Sequence, residues 1–233
     1  MPSNIQLLPH YHAKSVRENG KQYYVDDKGD RFPSVTTILN ATKPQEDREA
    51  LFNWRQRVGT DEANRISSAA SRRGTSTHKH IQHYLLGDNI PCPDTVKPYW
   101  DSLEPVLQDI DEVRLVESSV FNYDLRYAGR VDCVASYRGI PCVCDWKTAD
   151  KPKKSIDRLY DGPLQLAAYS SAVNQFYQEY GIKLNHALLV VAIPGIPAEV
   201  FWFEPEEMSD YSQQWQQRVT AFWRWRDDFV KLR

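Results

Sequence analysis

The sequence predicts an α/β fold: a mixed β-sheet flanked by helices, with an all-helical region ahead of it. Three observations predict it. Apolar runs with strand and helix periods alternate over residues 95–231 in the order α, β, β, β, α, β, β, α. Helical-period segments fill residues 46–86 with no strand between them. Two adjacent strand patterns carry Gly129-Arg130-Val131-Asp132 and Asp145-Trp146-Lys147, joined across the turn Arg138-Gly139.

The elements follow in order. Residues 1–32 read as extended, with a hairpin around the turn-rich Asp26-Asp27-Lys28-Gly29-Asp30. His10 and His12 have no further ligand nearby in sequence and read as loop histidines. Ser34 is the N-cap candidate for a short helix that includes Val35 and Leu39. A longer helix over 46–58 has Leu51, Trp54 and Val58 on one face and ends at Gly59. A third, over 61–72, shows Ala63, Ile66 and Ala70; both stripes read as core. Gly74-Thr75 opens a fourth helix, which closes at Gly87. In it His78, Ile81, Gln82 and Leu85 share a face, so His78 points inward while His80 and His83 fall elsewhere. A helix over 95–110 contains Pro105, a potential kink. Strands over 113–121, 127–137 and 140–147 follow, then a helix over 162–180, strands over 188–193 and 199–203, and a last helix over 206–231. Tyr211, Trp215, Val219, Phe222 and Phe229 form one stripe of that helix, flanked by Trp223 and Trp225, and read as packing.

Composition narrows the function. The chain of 233 residues has a net charge of −2 and 41% hydrophobic residues, enough for one sizeable core. A global basic field is absent, so contact with phosphates has to come from local cations. No apolar run is long enough to span a bilayer. Residues 1–12 show neither a secretory signal nor an Arg-rich leader, which predicts an intracellular, cytoplasmic protein of a bacterial or phage-infected cell. The four cysteines, Cys92, Cys133, Cys142 and Cys144, form no CxxC pair and read as small buried thiols. No GxxxxGK[ST] motif is present, so no ATP-driven motor is expected.

The chemistry concentrates on the central hairpin. Side chains alternate along a strand, so Asp145 and Lys147 face the same way, and the turn brings Asp132 toward Asp145. Two carboxylates beside one ammonium make a hard-oxygen site for a divalent cation, suited to metal-assisted hydrolysis of a phosphodiester. Around it stand Arg55, Arg57, Arg65, Arg72 and Arg73 on the N-terminal helices, and Lys151, Lys153 and Lys154 after the third strand. Each set is either solvated surface or a track for a phosphate backbone. Gln165 and Tyr169, at i and i+4, share a helix face.

Asp132, Asp145 and Lys147 resemble the D…(D/E)xK signature of the PD-(D/E)XK nuclease superfamily. The Gly129-x-Val131-Asp132 form, Gln165-x-x-x-Tyr169 and the helical His78 are similar to its RecB-like exonuclease branch. Pro33-Ser34-Val35-Thr36, the Trp54 helix and Gly74-Thr75-x-x-His78 resemble the mitochondrial genome maintenance exonuclease family and its phage and bacterial relatives. The resemblance implies a restriction-endonuclease-like fold in one domain, residues 1–233, with an α/β core over 111–233 and a helical arch over 34–86. It implies a metal-dependent DNA exonuclease that degrades linear DNA from single-stranded ends threaded under the arch. Mg²⁺ or Mn²⁺ would be held by His78, Asp132, Asp145 and the Trp146 carbonyl. Lys147 would orient or deprotonate water or stabilise phosphate charge. Gln165 and Tyr169 would hold the strand or position Lys147, Glu117 would support the site, and Arg72, Arg73, Lys151, Lys153 and Lys154 would contact DNA. Two departures stand out: Gln82 replaces an acidic residue frequent in relatives, and no four-cysteine cluster is present. A structure-specific endonuclease and a non-catalytic DNA-end-binding protein are the rival readings.

Overall fold

The computed structural model describes the backbone of residues 1–231 and the side chains of residues 1–224. Three short strands, β1 (Lys14–Glu18), β2 (Lys21–Val25) and β3 (Arg31–Pro33), form an antiparallel sheet of their own. Three helices follow: α1 (Val35–Ala41), α2 (Gln45–Val58) and α3 (Thr60–Leu85). After α4 (Lys97–Leu107) comes a meander of β4 (Ile110–Asn122), β5 (Tyr127–Tyr137) and β6 (Ile140–Thr148). Helix α5 (Gly162–Phe176) crosses over to β7 (His186–Ala192), and β8 (Glu199–Phe203) and α6 (Pro205–Lys231) end the chain. The main sheet has the order β4-β5-β6-β7-β8. Its β6–β7 pair is parallel and the rest antiparallel. The parallel pair is the one joined through a helix, as a crossover requires.

The central hairpin forms where the sequence places it. Arg138 (φ 50°) and Gly139 (φ 81°) both take the left-handed conformation of a two-residue turn, and Tyr137 pairs with Ile140 across it. Helices cover both faces of the sheet. On one face α1, α5 and α6 bury Ile38, Leu166, Val173 and Trp215 against Val131, Val143 and Leu189. On the other, the C-terminal half of α3 and α4 bury Ile81, Leu85 and Leu103 against Cys133, Trp146 and Val190. Each full burial of such a side chain contributes roughly 1.5–3 kcal/mol before entropy is counted. Along β6 the alternation is clean: Val143 faces the first core and Cys142, Cys144 and Trp146 the second, which leaves Asp145 on the face of α1 and α5; along β5 it is broken, since Val131 and Val134 both belong to the first core and Cys133 to the second.

Several expectations are corrected. The break expected at residues 73–74 is absent: α3 runs unbroken for 26 residues through Gly74. One glycine in a helix interior costs only about 1 kcal/mol, which the packed C-terminal half of α3 absorbs. The stripe Leu51, Trp54 and Val58 is not core. Helix α2 has no buried residue, and Leu51, Phe52 and Ile66 are exposed, although Ala63 is buried. Periodicity reports that a helix has an apolar face, not that anything covers it. His80 does point inward, its ring edge-on to Trp100 with centroids 4.5 Å apart. The expected helix over 162–180 ends at Phe176, followed by a 3-10 turn. In α6, Trp215, Val219 and Phe222 are buried as expected; Trp225 and Phe229 lie outside the described side chains. Cys133, Cys142 and Cys144 are buried free thiols. No helix among the described residues is long and apolar enough to cross a membrane.

Candidate active site

Three carboxylates stand in a row across three strands. In the β4–β5 ladder Val116 pairs with Cys133 and Ser118 with Val131, so Glu117 lies opposite Asp132. In the β5–β6 ladder Cys133 pairs with Cys144, so Asp145 comes next to Asp132 on the other side. The backbone adapts to this row. Trp146 N donates to Asp132 Oδ2 at 3.0 Å, so the side chain accepts the proton there. Glu117 has φ 50°, a conformation that a non-glycine residue in a strand holds only when its surroundings enforce it.

His78 reaches this row from α3. Its Nε2 lies 2.7 Å from the Trp146 carbonyl oxygen. Its Nδ1 lies 3.4 Å from Glu117 Oε1 and 3.5 Å from Asp132 Oδ2. A carbonyl and two carboxylates only accept, so both ring nitrogens donate and the ring is an imidazolium. The balance of charges agrees. Burial pulls the His78 pKa down, but the Asp132, Glu117 and Asp145 charges outweigh it and push it up to about 9. His78, Glu117 and Asp132 together offer three ligand atoms within 4.8 Å of one another. A divalent cation held there would take the place of the Nδ1 proton, with Nε2–H on a backbone carbonyl as in the usual arrangement of a metal-ligating histidine.

Asp145 faces Lys147 instead. Lys147 Nζ donates to Asp145 Oδ1 at 2.9 Å and stands 2.7 Å from Oδ2. It also donates to Gln165 Oε1 at 3.0 Å. Asp145 is fully buried, and its Oδ2 has no well-aligned hydrogen bond. Burial raises the Asp145 pKa to about 6, with Asp132 adding to the rise and the Lys147 and His78 charges opposing it. Burial also works against the Lys147 charge, but Asp145 and Asp132 outweigh it and raise the Lys147 pKa. The ammonium is thus retained at neutral pH. Gln165 Nε2 in turn donates to the Tyr169 hydroxyl at 3.2 Å. Burial, reinforced by Asp132, keeps that phenol protonated. The Tyr169 ring packs against β5 at Gly129: a Cβ added there would lie 2.5 Å from its Cε1. Close approach is thus a physical reason for glycine at this position.

The row opens into a cleft of about 640 Å³ between α3, the central strands and the N-terminal sheet. Of the residues singled out from sequence, His78, Gln82, Glu117, Gly129, Asp132 and Tyr169 line the cleft, whereas Asp145, Lys147 and Gln165 are not among its lining residues. The Trp146 carbonyl is turned to the His78 ring. Arg73 is committed elsewhere: Nη1 pairs with Asp150 at 2.8 Å, Nε donates to Thr148 Oγ1 at 3.3 Å, and the guanidinium sits 5.1 Å from the Tyr99 ring centre. It ties α3 to the end of β6. Lys153 and Lys154 donate their backbone N–H groups to Glu199. Among the described residues, neither Arg72 nor Lys151, Lys153 or Lys154 lines the cleft. Arg130 and Lys79 do line it, as does Tyr24 of the N-terminal sheet. Arg130 was legible in principle: two residues before Asp132 on the same strand, it shares its face. The part played by the N-terminal sheet has no sequence signal of its own, because it depends on tertiary docking.

A mixed sheet with helices on both faces and a D…DxK pair on adjacent central strands defines a class of phosphodiester-cleaving enzyme folds. Residues 54–229 match the PD-(D/E)XK nuclease superfamily, and the chain belongs to that superfamily. Curated relatives match over most of the chain. Mitochondrial genome maintenance exonuclease 1 of Mus musculus is 36% identical over 199 residues, covering 82% of this chain and 59% of the relative. The protein of the same name from Xenopus tropicalis is 35% identical, covering 82% and 57%. The one from Homo sapiens is 33% identical, covering 82% and 58%. The chain thus spans less than two thirds of the length of these relatives.

Proposed function

We propose that the protein is a metal-dependent DNA exonuclease that hydrolyses linear DNA from single-stranded ends. The observation that carries this reading is the row Glu117, Asp132 and Asp145 with Lys147 clamped between Asp145 and Gln165 at its end. The family and the names of the relatives support it.

The donor set fits a divalent cation: carboxylate oxygens and one imidazole suit Mg²⁺ or Mn²⁺, and the imidazole favours Mn²⁺. His78 Nδ1, Glu117 and Asp132 would hold it. When bound, such an ion polarises the scissile phosphate and lowers the pKa of a bound water. Asp145 keeps Lys147 charged and in place; the ammonium donates to the phosphate oxygen on which negative charge grows. A retained proton argues for that role over general base. Should Asp145 also serve as a ligand, Lys147 must first release it. Gln165, held by Tyr169, positions Lys147, and Tyr169 walls the cleft. Helix α2 and the outer half of α3 would form the arch over a passing strand, within residues 34–86. The Arg55–Asn64 hydrogen bond of 2.7 Å, which ties the two helices together, and the exposed Arg57 beside them support this role.

The test uses one labelled single-stranded oligonucleotide, linear and circularised, with Mn²⁺ or Mg²⁺. Degradation of the linear form alone is expected. Cutting of both forms replaces the exonuclease by an endonuclease with the same chemistry. Binding of ends without cutting replaces it by an end-binding protein.

A further inference from the structure

We propose that Arg130 is a phosphate-binding residue of the cleft, held in reserve by Glu117 until a divalent cation occupies the site. The inference rests on the nuclease reading above and adds to it a residue and an order of binding.

Arg130 stands on β5 two residues before Asp132. Two residues advance about 6.6–6.8 Å along a strand and return to the same face. Its backbone therefore stands one step along β5 from Asp132, and its guanidinium reaches back to the edge of the carboxylate row at Glu117. Arg130 lines the cleft, and its side chain is 61% exposed. Its Nε pairs with Glu117 Oε2 at 2.9 Å, while Glu117 Oε1 faces His78. That pair engages the Nε side; among the described residues no second carboxylate pairs with the guanidinium. The outer Nη edge keeps the planar fork that matches a phosphate.

Glu117 thus faces two cations at once, the His78 imidazolium and Arg130. Once it serves a divalent cation, its charge is spent there and no longer neutralises Arg130. The arginine then faces the cleft as an uncompensated positive charge. Metal loading creates a phosphate site at the edge of the carboxylate row, and DNA without metal meets a neutralised arginine. Lys79, exposed on the α3 side of the same cleft, is not subject to this control.

The experiment measures binding rather than turnover. Anisotropy of a short labelled single-stranded oligonucleotide is followed in the Lys147→Ala background, with Mn²⁺ or with EDTA, across a salt series; Mn²⁺ occupancy is read separately by electron paramagnetic resonance. With Mn²⁺, adding Arg130→Ala is expected to weaken binding about tenfold and to make the log K against log[salt] slope shallower by about 0.7, one phosphate contact on a single strand. With EDTA the same change is expected to cost less than twofold. Arg130→Lys is expected to keep the slope. Glu117→Gln is expected to strengthen metal-free binding, and that gain is expected to vanish in the Glu117→Gln/Arg130→Ala double variant. Equal affinity and slope for Arg130→Ala and its parent in Mn²⁺, or an equal loss with and without metal, overturns the proposal and leaves the nuclease reading intact. A metal-loaded parent that binds no oligonucleotide overturns both.

Discussion

His78 is the residue on which the chemistry of the site turns. Its imidazolium occupies the place that the proposed metal would take, so proton and metal would compete. In metal-free protein the folded state keeps this proton up to about pH 9, whereas an ordinary histidine releases it near 6.5. The group's stabilisation is fully present below pH 6.5 and is lost as pH rises through 9. In EDTA, the Tm is expected to fall over that interval. His78→Gln is expected to flatten the fall, as a pH series of thermal melts will show. Gly129 supplies a second test. Gly129→Ala puts a methyl within 2.5 Å of the Tyr169 ring, with Val35 at 3.2 Å behind it. It is expected to cost about 1–3 kcal/mol in urea unfolding, and to lower activity further by disturbing the Tyr169–Gln165–Lys147 chain.

Helix α3 is one element with two characters. Its C-terminal half is built into the core through Ile81, Tyr84 and Leu85; its N-terminal half leaves Ile66 exposed. Leu85→Ala is therefore expected to cost about 2–5 kcal/mol. Ile66→Ser is expected to stay within about 0.5 kcal/mol of the parent. Equal effects of the two substitutions in equilibrium unfolding would contradict the division. The join between the halves is Arg73, which fixes α3 to Thr148 and Asp150 just beyond Lys147. Arg73→Ala is expected to cost about 1.5–3 kcal/mol, the range for hydrogen bonds to charged groups. Because the side chain also lies over Tyr99 and binds Thr148, Arg73→Lys is expected to restore only part of that loss.

At the scale of the molecule, what could be read from the sequence follows from which interactions are local. The hairpin at Arg138-Gly139, the strands around it and the stripe through Trp215 and Phe222 are set by alternation, turn chemistry and helical period, all local properties. So was the pairing of Asp132 with Asp145 across the turn. What was not legible depends on docking. The fate of Leu51 was decided by what covers α2, and the reach of the N-terminal sheet into the cleft by where that sheet packs. Glu117 shows the boundary: its strand was legible, but its place opposite Asp132 needed the register of β4, which shifts between Asp111 and Leu115. Arg73 was read as a nucleic-acid contact because it is basic and helical; its partners are 75 and 77 residues away in sequence.

The proposed function makes the carboxylate row and Lys147 one metal-dependent hydrolytic site. The most direct measurement is cleavage of a labelled linear single-stranded oligonucleotide by the parent and by Lys147→Ala, each with Mn²⁺ or EDTA, with Mn²⁺ binding followed in parallel. Products are expected only from the parent with Mn²⁺, and Lys147→Ala is expected to lose about 10²–10³-fold, as in removing an oxyanion-stabilising donor, while still binding the ion. Cleavage in EDTA, or undiminished cleavage by Lys147→Ala, would contradict the proposed function.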